Sequence, residues 1–170
     1  MTTSTTDART LMQARLAEMA GGDLEDFERA YHPTARDRAA GGPPACSTPG
    51  AEGFHAGALW LRGMFSELAW DVHEAIAQDD LVAAYTTMRG RHTGPLTKYS
   101  PDGDLVMDVP ATGREFAVTQ THWYRLLDGL VVEHWANRDD LGMARQLGWI
   151  PPTPVFLLQM ALAKRRARRA

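Results

Sequence analysis

The stretch "TQTHWYRLLDGLVVEHWANRDDLGMARQLG", Thr119 to Gly148, decides how the rest of the chain is read. Two runs rich in β-branched and aromatic residues, "FAVTQTHWYRLL" and "LVVEHWANR", meet at Asp128-Gly129, the strongest hairpin signal in the sequence. Asp139 and Asp140 then stand directly before "LGMARQLG", where aspartate is expected as an N-cap and first-turn residue of a helix. Side chains on a strand share a face at every second position. A three-residue loop would pair Leu126 with Leu130 and His122 with His134, so that Gln120, His122, His134, Ala136 and Arg138 share one face. A two-residue loop would instead set Trp135 and Asn137 opposite His122 and Gln120.

Upstream of the hairpin the apolar period is helical. Leu11, Met12, Leu16 and Met19 form one face, and Gly21-Gly22 stops the helix. Asp23 caps a second helix with Leu24, Phe27 and Tyr31 turned inward, and Pro33 lies just past its end. A Gly/Pro/Ser loop runs from Ala39 to Gly53, and a third helix carries Phe54, Ala58, Leu61, Phe65 and Leu68. From Trp70 and Val72 the period becomes two, with Asp79-Asp80 as a turn and "LVAAYTTMRGRH" as the next strand. The segment "TGPLTKYSPDGDLVMDVPATGRE" holds two turn signals and reads as a short hairpin or lid. Helices followed by an antiparallel sheet predict an α+β fold.

Composition narrows the function classes. The chain has 170 residues, 44% of them apolar, which fits one domain with a real core. A net charge of −3 argues against general affinity for nucleic acid. The one cysteine, Cys46, excludes an internal disulfide and a cysteine-built zinc site. "MTTSTTDART" has no basic n-region and no apolar h-region, and no apolar run reaches membrane-span length, so a cytoplasmic protein is expected. The tail "AKRRARRA" holds five cations, without which the charge falls from −3 to −8. They end a predicted helix, where they complement the carboxyl-end dipole. Residues 1–150 are therefore read as the domain and 151–170 as a basic helical tail.

The order of "AYHPTARDR", the Gly-rich loop, "GRHTG", "PATGR", "DGLVVEHW" and "DDLGMARQLG" resembles the SnoaL-like polyketide cyclase family, over roughly residues 8 to 148. That family belongs to the cone-shaped superfamily named after nuclear transport factor 2. The resemblance implies a curved antiparallel sheet forming a cone-shaped barrel against N-terminal helices, with one deep pocket and a homodimer. It implies a small-molecule substrate and chemistry without metal or cofactor: a base takes a proton from carbon between two carbonyls, and the enolate attacks another carbonyl of the same molecule.

In the resembling cyclases the base is an aspartate just after the Trp of "EHW", with a Gln-x-His pair on the preceding strand. Gln120 and His122 match that pair, but the base position falls on Ala136, which cannot accept a proton. The family's site face favours the register that gathers Gln120, His122, His134, Ala136 and Arg138. His122 is then the available base, near its ordinary pKa of about 6.5. Asp37, in "ARDR", is a candidate second acid/base and Arg38 a candidate anion clamp. Tyr85 is a candidate phenol donor and Trp135 a candidate pocket wall. Each has a plainer role: a hydrogen-bonded core histidine, a surface salt bridge for Asp37 and Arg38, a core tyrosine, a dimer-interface tryptophan. His32, His55, His73 and His92 show no metal-ligand spacing. The implied function is a cyclase- or isomerase-type enzyme. The alternatives are a hydroxylase-type relative and a non-catalytic dimeric ligand binder, which Ala136 favours.

Overall fold

The computed structural model describes residues 5–39, 41–151 and 154–167. Its elements in chain order are α1 (Thr5–Gly21), α2 (Leu24–Ala30), β1 (Tyr31–Asp37), a 3₁₀ turn (Pro44–Ser47), α3 (Ala51–Met64), β2 (Phe65–Gln78), β3 (Leu81–His92), β4 (Leu96–Tyr99), β5 (Leu105–Val109), β6 (Glu115–Leu127), β7 (Leu130–Arg138), α4 (Asp140–Gln146) and α5 (Pro154–Ala167). Five strands form one sheet in the order β1-β7-β6-β3-β2, and β4-β5 form a separate hairpin. Helices α1, α2 and α3 pack on its concave side. The fold is α+β, as the sequence predicts.

Two details differ from the expected closed antiparallel cone. The sheet is open, and it is mixed, because β1 runs parallel to β7. The sequence hides β1: "YHPTARD" carries Pro33 and little apolar alternation. Both are tolerated because β1 is an edge strand, where a missing N–H breaks no ladder. The third helix also ends sooner than its apolar period suggests. Phe65 has turned to extended backbone and opens β2, yet stays buried, so the period runs on through the change of structure. Leu24, expected inward, is 36% exposed.

The caps follow the sequence. Asp23 accepts from the Asp26 amide at 3.0 Å, and Asp26 returns a bond to the Asp23 amide, which closes a capping box on α2. Asp139 caps α4 by accepting from the Gly142 amide at 2.7 Å.

Register in the long hairpin combines two devices. Asp128 and Gly129 both have positive φ, 50° and 85°, and Leu127 pairs with Leu130, so the loop has two residues. One strand position later the ladder slips: Leu126 faces Val131, but Arg125 faces Glu133, leaving Val132 as an extra residue. Beyond this bulge Tyr124 faces His134, His122 faces Ala136 and Gln120 faces Arg138. The pairing of His122 with His134 expected from a three-residue loop is thus displaced by two positions. The five residues still share a face.

Burial falls into two clusters. One joins Met12, Leu16, Phe27, Tyr31, Phe54, Val82, Tyr124 and Val131 beneath α1, α2 and α3. The other joins Leu61, Met64, Phe65, Met88, Phe116, Val118, Met143 and Leu147 toward α4. Met160 of α5 packs against the second cluster, while Val155, Leu157, Leu158 and Leu162 are exposed. The five cations of the tail lie outside the residues whose side chains are described. No described helix is long and apolar enough to cross a membrane.

Phe27 is fully buried and stacks on Tyr31 at 5.5 Å, where α2 turns into β1. Phe27→Ala should cost about 3–5 kcal/mol, read as a lower midpoint in urea unfolding with an unchanged slope.

Candidate functional site

The concave face of the sheet carries a chain of hydrogen bonds to which all five of its strands contribute. On β1, Asp37 Oδ1 lies 3.2 Å from His134 Nδ1 on β7. His134 Nε2 lies 3.1 Å from His122 Nδ1 on β6, with the two rings stacked at 5.4 Å. His122 Nε2 lies 2.8 Å from Gln120 Oε1, two residues away on the same face. The Trp70 indole on β2 donates to that same oxygen at 2.9 Å, and Gln120 Nε2 donates to Met88 Sδ at 3.0 Å, a contact with the remaining strand, β3. Gln120 and His122 are buried. Buried polar groups in such a setting need partners, and each of these has one.

Strand pairing explains the chain. The β7 bulge turns His134 and Ala136 to the concave side, and the parallel ladder places Asp37 beside His134. The Arg38 amide bonds to the His134 carbonyl at 2.9 Å, and the Ala39 amide donates to Asp37 Oδ1 at 2.8 Å, which orients the carboxylate. Its Oδ2 has no protein partner among the described residues.

These surroundings set the protonation states. Burial pushes the His122 ring down to about 3, and the charges of His134 and Arg138 add to the effect. Burial pushes the Asp37 carboxyl up, but its hydrogen bond to His134, the His134 charge and the Ala39 amide outweigh it and hold the carboxyl below its ordinary value. His122 does not fit the role of base because both its ring nitrogens are committed to neighbours. Asp37 is ionised, and its Oδ2 has no partner among the described residues.

The chain borders a cavity of about 250 Å³ between the two core clusters, lined by Leu16, Met19, Trp60, Tyr124 and Ala136 besides the residues above. Arg138 also lines it. Two further chambers share walls with it. An apolar one of about 200 Å³ extends past Trp60, Met88 and Arg138 to Phe65, Met107, Met143 and Trp149. An outer one of about 410 Å³ opens past Asp37, Gly42 and Cys46 to Ser47, Tyr99 and Ser100. The Cys46 thiol is pushed up to about 11 by burial and by the Asp37 charge, so it is no nucleophile at neutral pH.

Two expected site residues lie elsewhere. Tyr85 is opposite Thr121, an odd position of β6, and so points to the convex face, where it is exposed and packs on His73 at 5.3 Å. Trp135 is also convex, stacked parallel to Trp123 at 6.0 Å with the Arg38 guanidinium 5.2 Å from its ring. Arg38 is ion-paired with Glu133. The sequence reading missed Trp70, Met88 and Tyr124. Trp70 had left a signal: it begins the period-two run on the core side, and a buried indole N–H needs an acceptor. Among the described residues no group of three or more histidine, cysteine or acidic side chains has the arrangement to hold a metal ion.

The low His122 pKa makes stability depend on pH. The unfolded ring binds a proton near 6.5 and the folded ring only near 3, so its stabilising contribution is present above 6.5 and is lost as pH falls toward 3. His92, also depressed by burial, adds to that slope, whereas Glu18, raised to about 7 by burial, opposes it. Comparison with His122→Gln isolates the effect. Between pH 6 and 4.5 the parent should lose about 1.4 kcal/mol per pH unit more than the variant in urea unfolding.

The family model for the SnoaL-like polyketide cyclase matches residues 10–147. The aklanonic acid methyl ester cyclase of Streptomyces peucetius is 38% identical over 106 residues, 62% of this chain and 66% of that protein. The nogalonic acid methyl ester cyclase of Streptomyces nogalater is 34% identical over 90 residues, 52% of this chain and 60% of that protein. The matched parts thus span less than two thirds of these relatives. Among solved structures, TsrD from Streptomyces laurentii superposes with a TM-score of 0.65 at 29% identity, covering 82% of this chain and 93% of that one. With the family model matching from α1 to α4, this chain belongs to the SnoaL-like polyketide cyclase family.

Proposed function

We propose that the protein is a polyketide cyclase that closes a ring by intramolecular aldol-type addition, with Asp37 as its base. The observation that carries this reading is an ionised Asp37, its Oδ2 without a partner among the described residues, at the junction of the central and outer chambers. The names of the relatives and of the family suggest the substrate class: the methyl ester of a polyketide acid, as aklanonic and nogalonic acid methyl esters are for those cyclases.

The geometry supplies the roles. The apolar chamber, with Trp60, Trp149 and four methionines, takes the flat body of the substrate and excludes water. Asp37 Oδ2 removes the proton from carbon between two carbonyls. The enolate attacks a ketone carbon held beside it, and the new alkoxide receives the proton back from Asp37, so the product is an isomer of the substrate. Arg138 follows Ala136 on the same face, and its charge already reaches His122. An oxyanion over the Ala136 methyl is stabilised by that charge in a site poor in water. His134 and His122 hold Asp37 in place.

Ala136 favours a second reading, a ligand binder that has lost its chemistry. The two readings separate on one pair of variants assayed with aklanonic or nogalonic acid methyl ester. Asp37→Asn should lower kcat by about a hundredfold or more while changing substrate affinity much less. A parent without turnover, with Ala136→Asp gaining it, would establish the binder instead.

We also propose a homodimer that covers the convex face, where Ile76 and Tyr85 are exposed beside the Trp123–Trp135 stack. Light scattering at micromolar concentration should give twice the chain mass.

A further inference from the structure

An indole has one polar hydrogen and no acceptor. Trp70 Nε1 therefore has to donate to whatever faces it, and what faces it is a Gln120 side-chain atom at 2.9 Å. That atom is the amide oxygen. The amide group cannot turn over without setting two donors against each other. The same oxygen faces His122 Nε2 at 2.8 Å, so that nitrogen carries the ring's proton. His122 is neutral near pH 7, which leaves Nδ1 bare, and a bare Nδ1 at 3.1 Å from His134 Nε2 needs a hydrogen from His134. His134 Nδ1 in turn faces a carboxylate, which only accepts. The rule at each step is that of a donor facing an acceptor, and it leaves one extra proton between His134 and Asp37.

We propose that Trp70 is a positioning residue that sets the tautomer of His122 and thereby keeps His134 and Asp37 as an imidazolium–carboxylate pair. Without the indole hydrogen the amide is free to reverse. Gln120 Nε2 then donates to His122 Nε2, His122 Nδ1–H donates to His134 Nε2, and a neutral His134 donates to Asp37. Every bond from Gln120 to Asp37 is kept with one proton fewer, and only the weak bond to Met88 Sδ is lost. Met88 Sδ, on the other edge of the amide, is a weak acceptor and holds the orientation less firmly. The direction of the chain thus comes from β2, at the edge of the sheet opposite Asp37. The pair's charge state matters to turnover only through the role given above to Asp37. The tautomer itself is measurable without substrate.

The test is nitrogen NMR of the full chain labelled with ¹⁵N-histidine at neutral pH. In the parent, His122 should carry its proton on Nε2, with Nδ1 bare, and both nitrogens of His134 should be protonated. Two variants remove the indole donor: Trp70→Phe, and replacement of Trp70 by β-(3-benzothienyl)alanine, which keeps the shape and puts sulfur where the N–H was. In either, the ratio of Nε2–H to Nδ1–H His122 should fall roughly tenfold, the equivalent of about 1.4 kcal/mol. Met88→Leu should leave that ratio as in the parent. A parent with the proton on His122 Nδ1 would overturn the proposal, as would a folded benzothienyl variant with an unchanged ratio. The predicted tautomers in a protein without cyclase turnover would support the role of Trp70 and remove only that of Asp37.

Discussion

One extra residue in β7 governs the concave face. With a two-residue Asp128-Gly129 loop and a regular ladder, His122 would face Trp135 and Gln120 would face Asn137. Val132 interrupts that alternation, and from Glu133 onward every side chain changes face. His134, Ala136 and Arg138 turn inward and Trp135 turns outward. The parallel edge strand has an irregularity of its own, between Tyr31 and Arg36, after which Asp37 is aligned with His134. Loop and bulge together produce the arrangement that a longer loop would have produced by itself, which is why the face is right while the pairing differs.

The polar chain is costly unless complete. Two imidazoles, an amide and a carboxylate lie against a wall otherwise made of Leu16, Met19, Trp60 and Tyr124. Each group left without a partner there would cost about 1–3 kcal/mol. Completion also restrains the chemistry. A histidine whose two nitrogens are engaged, and whose ring burial has driven down to about 3, is a structural spacer at neutral pH. The carboxylate at the end of the chain is different. It has one oxygen tied by His134 and the Ala39 amide and the other without a partner among the described residues, so the group is oriented.

Much of this was legible in the sequence, and the physical reasons for the rest are specific. Helix faces and caps could be read because Asp23 and Asp139 do their work within three residues. The hairpin could be read because Asp-Gly suits two successive positive φ values. Gln120 and His122 could be grouped by alternation alone. What escaped depends on separation in sequence: Asp37 meets His134 across 97 residues, and Trp70 meets Gln120 across 50. No local pattern records either contact. Tyr85 was misplaced because a strand with buried residues on both faces, such as β3, has no clean alternation to read. The bulge left no mark either, since Val131 and Val132 are equally apolar and the choice between them is made by the packing of Val131 in the core.

Ala136 is then explicable without assuming that function was lost. In the arrangement that the family resemblance implies, the carboxylate stands on the last strand, directly opposite the Gln-x-His histidine. Here that place is a methyl group, and a carboxylate stands one strand further out, on β1, joined to the same histidine through a second one. A carboxylate at 136 would lie between Arg138 and His122 and would spend its charge on that arginine. With alanine there, Arg138 is left to meet an anion from outside the protein, and its ion pair with Asp140 is a loose 3.4 Å on the exposed side. On the proposed assignment, the base Asp37 and the anion partner Arg138 stand at opposite ends of β7's inward face, with the space over Ala136 between them. That separation suits a reaction in which a proton leaves at one carbon and negative charge gathers on an oxygen several bonds away.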